Sequence, residues 1–144
     1  LNVSFVGSKP LQRKLGSYAD DVIITQVVPP LTGTRPPIVD EFIADLEKIR
    51  TKTDPNDVSL EGYMAARILG KTLLHTAPPL TRETVIDSLE ALGSFNLGPG
   101  VPLKLARDRH QASDGVWPTR LTAQDIRPFS WTEIGPLLKK VTAP

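Results

Sequence analysis

The residues of this 144-residue chain that could carry out acid–base or nucleophilic chemistry are few and widely separated. Nucleophilic catalysis needs a Ser, Thr or Cys side chain beside a base and an orienting acid. The chain has two histidines and no cysteine, and it lacks the Gly-x-Ser-x-Gly turn that exposes a serine nucleophile. His75 is predicted at a helix C-terminus, where an imidazolium suits the dipole, and His110 lies in a polar loop. We therefore expect no catalytic residue and no enzyme activity.

Patterns for phosphate or metal binding are equally weak. The Gly98-Pro99-Gly100 segment lacks the Lys-Ser/Thr pair and the following helix of a phosphate-binding loop. Asp20 and Asp21 are adjacent carboxylates, and neighbouring side chains of a strand point to opposite faces, so the pair chelates poorly. Without cysteine there is also no thiolate zinc site. We expect no metal and no cofactor.

Charge and hydropathy exclude two classes of partner. The net charge is +1 and the Lys and Arg residues are scattered, so the sequence predicts no nucleic-acid surface. No apolar run approaches the roughly 18 residues that a membrane-spanning helix needs. The chain begins with Leu1 and not with Met. We expect a processed or truncated product whose compartment cannot be read from its start.

One of the longest apolar patterns without proline lies at residues 59–75, and the other elements are predicted to pack against it. Its apolar residues cover most of the circumference of a helix, which predicts burial on more than one side. Gly62 and Gly70 either allow another backbone to approach closely or are simply tolerated glycines. Asp57 or Ser59 is the predicted N-cap.

The remaining elements alternate between short strands and amphipathic helices. We predict strands at residues 1–6, 21–28, 101–105 and 115–122, and further helices at residues 10–15, 37–50, 81–93 and 131–140. The last two strands are predicted to form a hairpin or a near-antiparallel pair, and residues 123–144 to be otherwise irregular. Gln26, a long polar residue in the second strand, either caps a sheet edge or lies near a ligand. The order predicts an α/β fold with too few strands for a complete doubly wound domain.

The landmarks of residues 3–121 also resemble a known family in their order and spacing. They are SFVGSKPLQRKLG, DVIITQVVPP, PIVDEFIADL, SLEGYMAARIL, LTRETVIDSLEALGSFNLG and RDRHQASDGVWPTRLT. The series resembles the C-terminal part of type I periplasmic binding proteins. Within these it is most similar to the branched-chain amino-acid (leucine, isoleucine and valine) binding family of ABC importers. The tail, residues 123–144, departs from the short ending expected of that family.

The resemblance implies an α/β fold that is the C-terminal portion of a two-lobed, Rossmann-like clamshell. A small polar molecule binds between the lobes, which close on it by hinge bending. Residues 1–122 would hold pieces of both lobes, with residues 21–28 crossing the hinge. The chain would be less than half of such a parent protein. Uncovered faces and sheet edges would then favour a dimer or larger assembly.

The resemblance also implies ligand contacts. In this family the loop after the first strand and the entry to the long helix face the cleft. The matching residues are Gly7, Ser8, Ser59 and Glu61, with Gln26 on the presumed hinge crossing. Structural roles remain open for three of them: Ser8 as a turn residue, Ser59 as a helix cap and Glu61 as a first-turn acid.

Three functions follow in order of preference. The first is a periplasmic or extracellular solute-binding component of an ABC importer, which captures an amino acid or small carboxylate for a membrane permease. The second is a ligand-sensing receptor of the same fold. The third is a small α/β enzyme, which would require a histidine beside a carboxylate in a cleft.

Overall fold

The computed structural model describes residues 2–3, 7–49, 54–97 and 102–142. The elements in chain order are β1 (Asn2–Val3), α1 (Ser8–Leu15), β2 (Val22–Gln26), α2 (Pro37–Lys48), α3 (Asp57–His75), α4 (Arg82–Ala91), β3 (Gly93–Phe95), β4 (Leu103–Leu105), β5 (Trp117–Leu121), β6 (Ile126–Pro128) and α5 (Ile134–Thr142). Short 3-10 turns follow α1 and precede α5. The predicted α/β class is confirmed. Of the strand predicted at residues 1–6, only Asn2–Val3 falls within the described residues, and Gly98-Pro99-Gly100 lies outside them.

The larger sheet has the strand order β1-β2-β5-β6. β1 and β2 run parallel, so their carboxyl ends meet at one edge of the sheet. β5 is antiparallel to both β2 and β6. β2 lies between β1 and β5, so Gln26 ends an interior strand, and the interpretation that it caps an edge strand is wrong.

The predicted hairpin between residues 101–105 and 115–122 is also wrong. β4 pairs with β3 in a separate two-stranded sheet, whereas β5 belongs to the larger sheet. The two strands bury their apolar side chains in different places: Leu103 and Leu105 pack with Phe95, and Leu121 packs with Ile24. Strand pairing follows these clusters and not proximity in sequence.

Three apolar clusters divide the molecule. The α2–α3 core contains Val28, Ile38, Val39, Phe42, Leu60 and Met64. The sheet core contains Ala19, Ile24 and Leu121, with Leu11 and Leu15 of α1 packed against it. The β3–β4 core contains Phe95, Leu103 and Leu105. Hence α1 and α3 bury their apolar faces in different cores, and each fully buried Leu or Ile contributes about 1.5–3 kcal/mol.

The long helix α3 is confirmed, and it packs against α2 and, through Ile68, against the β3–β4 core, but its apolar residues are not all buried. Leu60 and Met64 are buried against α2, whereas Leu69, Leu73 and Leu74 are exposed, Leu74 at 86%. A Cβ added at Gly62 or Gly70 would meet nothing within 4 Å, so no backbone of the described residues approaches there. The structure thus leaves a second apolar face of α3 open to solvent.

The start of α3 differs by one to three residues from the prediction. Asn56 is the N-cap, and its side chain accepts a hydrogen bond from the Ser59 backbone N–H at 3.0 Å. The Ser59 hydroxyl accepts in turn from the Asn56 N–H, which completes a capping box. Asp57 is the first helical residue, and its side chain contacts a different part of the molecule.

The segment predicted to be irregular, residues 123–144, is ordered over most of its described length. Ile126–Pro128 form β6, and Ile126 packs against the sheet core. The predicted helix at 131–140 corresponds to a 3-10 turn followed by α5, and the Ser130 side chain caps that turn. The apolar contact of Ile126 with the sheet explains why this segment is not irregular.

Candidate ligand-binding site

Ser8 and Gln26 meet at the carboxyl edge of the parallel strands. Ser8 opens α1 just after β1, and Gln26 is the last residue of β2. The Gln26 Nε2 donates a hydrogen bond to the Ser8 Oγ at 2.6 Å. The side chains are almost completely buried, with Ser8 3% and Gln26 1% exposed. Ligands of open α/β sheets bind at this edge, so two predicted site residues lie together where a ligand is expected.

Asp57, the first residue of α3, joins this pair. Its Oδ2 accepts hydrogen bonds from the Ser8 Oγ at 2.6 Å, the Gln26 Nε2 at 3.1 Å and the Ser8 backbone N–H at 3.2 Å. Hydrogen bonds to an ionised carboxylate are shorter and stronger than neutral ones. The N-terminus of α1 also favours a negative charge. The three residues form a compact polar cluster, which we call the Ser8–Gln26–Asp57 cluster.

One buried polar atom of this cluster has no partner. The Gln26 Oε1 is buried and accepts no hydrogen bond within the described part of the chain. A buried carbonyl oxygen without a donor costs about 1–3 kcal/mol. Such an atom is an acceptor available to a donor that this structure does not contain.

Gly7 precedes the cluster and has a backbone that other residues rarely adopt. Its φ is 69° and its ψ is 139°, which disfavours any residue with a side chain. An added Cβ would lie 3.5 Å from the Pro10 side chain, an ordinary contact, so the requirement for glycine comes from the backbone and not from space. The turn at Gly7 directs the Ser8 N–H toward Asp57.

An open groove of about 770 Å³ runs beside the cluster. It is lined by the start of α1, the segment before α3 and the β5–β6 turn, including Gly7, Lys9, Arg13, Asp54, Asn56 and Asp125. Its volume falls in the usual range for small-molecule sites, roughly 300–1,000 Å³. An adjoining cavity of about 50 Å³ is lined by Ser8, Asp57, Thr119 and several groove residues. The groove carries charges of both signs at its walls.

The two other predicted contacts are not part of the cluster. The Ser59 Oγ donates to the Asn56 carbonyl at 2.8 Å as part of the α3 cap, and Glu61 is exposed on α3. Sequence reasoning in turn missed Asp57 as a site residue. The residue was considered only as a helix cap, because its contact with Ser8 joins positions 49 apart. The only local signal for Asp57 is that an acid occupies the first position of a helix that is capped by a different residue, Asn56.

A charged network holds α2 against α3 and so fixes the helix that carries Asp57. The Tyr63 hydroxyl donates to the Asp45 Oδ2 at 2.7 Å, and Arg67 binds Glu41 at 2.6 Å. Hydrogen bonds from Lys48 and Tyr63 lower the pKa of the Asp45 carboxyl below 3.8. Burial, followed by the hydrogen bond to Asp45, raises the pKa of the Tyr63 hydroxyl above 10.0.

The histidines lie away from the groove. The His75 Nδ1 is 2.7 Å from the Lys71 carbonyl in the last turn of α3. The His110 Nε2 lies 2.9 Å from the Glu90 Oε1, but this side chain is 71% exposed and lines neither the groove nor the adjoining cavity. A histidine beside a carboxylate is therefore present, but not in the cleft that the enzyme alternative requires.

The two adjacent aspartates have separate structural partners. Asp21 forms an ion pair with Arg120, and the Asp20 Oδ1 accepts from the Ala123 N–H at 2.8 Å.

Among residues 2–3, 7–49, 54–97 and 102–142, no three His, Asp or Glu side chains are grouped to hold a metal ion. Nor does any helix of these ranges have the length and apolar character required to cross a membrane.

Comparison with known proteins defines the class. The sequence profile of the family described as periplasmic binding protein matches residues 1–125. The chain belongs to this family, which is one of solute-binding proteins and not of enzymes. None of the curated proteins matches the chain.

Solved structures place the chain more closely within that class. It is similar to a possible leucine/isoleucine/valine-binding protein from Rhodopirellula baltica SH 1, with 38% identity and a TM-score of 0.85 over 91% of this chain and 35% of that one. A substrate-binding periplasmic protein from Ralstonia solanacearum is 21% identical, with a TM-score of 0.75 over 88% of this chain and 37% of that one. An extracellular ligand-binding receptor from Verminephrobacter eiseniae ef01-2 is 22% identical, with a TM-score of 0.71 over 89% and 36%. The similarity to the Ralstonia and Verminephrobacter structures, at 21% and 22% identity, shows only that the fold is shared. The chain spans about a third of the length of each of these structures.

Proposed function

We propose that this chain is part of a periplasmic or extracellular solute-binding protein of an ABC importer. It would capture a small polar ligand, such as an amino acid or small carboxylate, by closure of two lobes and deliver it to a membrane permease. The observation that carries the proposal is the 38% identity, over 91% of the chain, to a possible leucine/isoleucine/valine-binding protein. On this proposal residues 1–122 form the ligand-binding part, β6 of residues 123–144 adds a strand to its sheet, and the chain has no catalytic role.

The groove beside α1 supports this proposal. Lys9 and Arg13 lie on its walls together with Asp54 and Asp125, so both ends of a zwitterion find an opposite charge. We assign the ligand contacts to Gly7, Ser8 and Gln26, at the carboxyl edge of β1 and β2. Ser59 and Glu61 would be reached by a ligand that extends to the first turns of α3.

Ligand binding to the purified full-length protein that contains this chain tests the proposal. Thermal unfolding is measured with a panel of amino acids and small carboxylates that includes leucine, isoleucine and valine. A ligand at a hundredfold excess over its Kd stabilises the folded state by about 2.7 kcal/mol. We expect at least one compound to raise the melting temperature, and Ser8→Ala to reduce that shift. The matched control is Ser17→Ala, since Ser17 is exposed and does not line the groove. A panel without any stabilising compound would contradict the proposal.

A receptor function is the second candidate, because the fold also occurs in a protein described as an extracellular ligand-binding receptor. An importer subunit and a receptor can share the same ligand pocket and differ in what the closed lobes contact. Adding the ligand-loaded protein to its reconstituted permease distinguishes them. Stimulation of ATP hydrolysis supports the importer, whereas ligand binding without stimulation favours the receptor.

We also propose that the isolated chain self-associates through the open face of α3. Leu69, Leu73 and Leu74 are exposed there, and Gly62 and Gly70 let a second backbone approach. A two-fold axis would place this apolar face against the same face of a second copy, so that both exposed apolar surfaces are buried. Light scattering should show a dimer that Leu73→Glu dissociates, whereas Asp87→Ala on exposed α4 should not. A wild-type monomer at high micromolar concentration would exclude this association.

A further inference from the structure

The Asp57 carboxylate occupies the groups that were assigned above to the ligand. The Ser8 N–H and the Ser8 hydroxyl both donate to the Asp57 Oδ2, and the Gln26 amide donates to the same oxygen. A ligand anion directed at the start of α1 would need these same donors. As long as Asp57 is in place, they are already satisfied.

The space around the cluster indicates the same competition. Gly7 and Lys9, on either side of Ser8, line the large groove, whereas Ser8 and Asp57 line the adjoining cavity of about 50 Å³. One water molecule occupies about 30 Å³ of liquid. A ligand as large as an amino acid therefore reaches the Ser8 donors only after Asp57 has withdrawn.

The contact also joins parts of the molecule that pack separately. Ser8 belongs to α1, which packs on the sheet core, and Asp57 belongs to α3, which packs in the α2–α3 core. Across the same groove, Lys9 and Asp54 approach only to 4.0 Å, and both side chains are half or more exposed. The three partly buried hydrogen bonds of Asp57, two of them from the buried Ser8, are thus the stronger connection between the starts of the two helices.

We propose that Asp57 is an autoinhibitory latch, which holds the starts of α1 and α3 together in the ligand-free protein and must release Ser8 before a ligand anion binds there. The proposal rests on the proposed function for the role of the ligand, but the latch itself is a property of the empty protein. Part of the free energy of ligand binding is used to open the latch. Removing the latch therefore raises the apparent affinity by a factor equal to the inverse of the fraction of molecules in which it is open.

Calorimetric titration with leucine tests the competition in wild type, Asp57→Ala and Asp57→Asn. We expect Asp57→Ala to lower the Kd for leucine about tenfold, a typical size for coupling between two states. Asp57→Asn keeps the side-chain shape and should give a smaller change. The control is Asp40→Ala, because Asp40 is also a first-turn acid but lies on α2 and does not line the groove. Weaker or unchanged binding to Asp57→Ala overturns the competition.

A distance measurement without ligand separates the latch from the proposed function. The chain has no cysteine, so nitroxide labels can be attached at Lys14→Cys on α1 and Glu83→Cys on α4. We expect one narrow distance distribution when Asp57 is intact, both in the labelled protein without a further substitution and with Asp40→Ala. With Asp57→Ala we expect a broader distribution at longer distances. An unchanged distribution overturns the latch. If leucine fails to bind the wild type, the proposed function is in question and the distance measurement alone decides the latch.

Discussion

Replacing Gln26 by glutamate tests the geometry of the buried cluster most directly. The Gln26 Nε2 lies 3.1 Å from the Asp57 Oδ2, so Gln26→Glu sets a second carboxyl group against the first. Position 26 is 1% exposed, so water screens the repulsion poorly. Burial and the neighbouring carboxylate together raise the folded-state pKa of the new carboxyl group above its unfolded value of about 4.3.

The sign of the pH dependence follows from that raised pKa. The variant is close to wild-type stability below about pH 4.3, where the new group is protonated in both the folded and the unfolded state. As the pH rises above this value, the stability of the variant falls by about 1.4 kcal/mol per pH unit until the pH reaches the pKa of the new carboxyl group in the folded protein. A group that remains protonated at neutral pH therefore costs about 3–4 kcal/mol there. This is a large part of the 5–15 kcal/mol that is typical of a folded domain.

Urea unfolding at several pH values between about 4 and 7 measures this loss. Gln124→Glu is the control, because Gln124 is exposed in the β5–β6 turn and its substitution should follow the wild-type curve. A Gln26→Glu penalty that does not grow with pH would refute the reasoning. It would mean that position 26 does not face the Asp57 carboxylate in solution.

Three further predictions concern packing, charge and backbone. Leu60→Ala, at a fully buried site of the α2–α3 core, should reduce the unfolding free energy by about 2–5 kcal/mol in urea. The hydrogen bond from Lys48 lowers the pKa of the Asp45 carboxyl in the folded protein. The contribution of Asp45 to stability is therefore present above pH 3.8 and is lost as the pH falls through the folded pKa. Asp45→Asn should consequently flatten the acid side of the curve of stability against pH. Gly7→Ala should destabilise by about 1–3 kcal/mol because of its positive φ, whereas Gly62→Ala in the open helix should stabilise by roughly 0.5–1 kcal/mol. Equal effects at the two glycines would contradict the backbone argument.

Local patterns explain which elements could be predicted. The helices α2 and α4 were found because apolar spacing, Pro37 at the helix start and the Thr81 cap act within a few residues. The strand β2 was found for the same reason, as a run of β-branched residues ended by prolines. The pairing of β4 and β5 was mispredicted, because it depends on which apolar cluster each strand joins.

The candidate site likewise contains residues that the sequence predicted and one that it could not. Gly7, Ser8 and Gln26 were assigned to the ligand from the family resemblance, and the structure brings Ser8 and Gln26 into contact at the carboxyl ends of parallel strands. Asp57 could not be found, because its partner lies 49 residues away and no local pattern marks that contact. Ser59 was assigned to the ligand, and the structure shows its hydroxyl in the cap of α3.

The sequence by itself determined the helices, the strands β2, β4 and β5 and the family of this protein, because these depend on periodicity and on the order of motifs along the chain. Only the tertiary structure decided that the carboxylate of Asp57 meets the start of α1 and that one apolar face of α3 stays open. Both depend on which surfaces come together after the three cores have formed. Hydrophobic burial is non-directional, so the apolar pattern marks a face for burial without specifying what covers it.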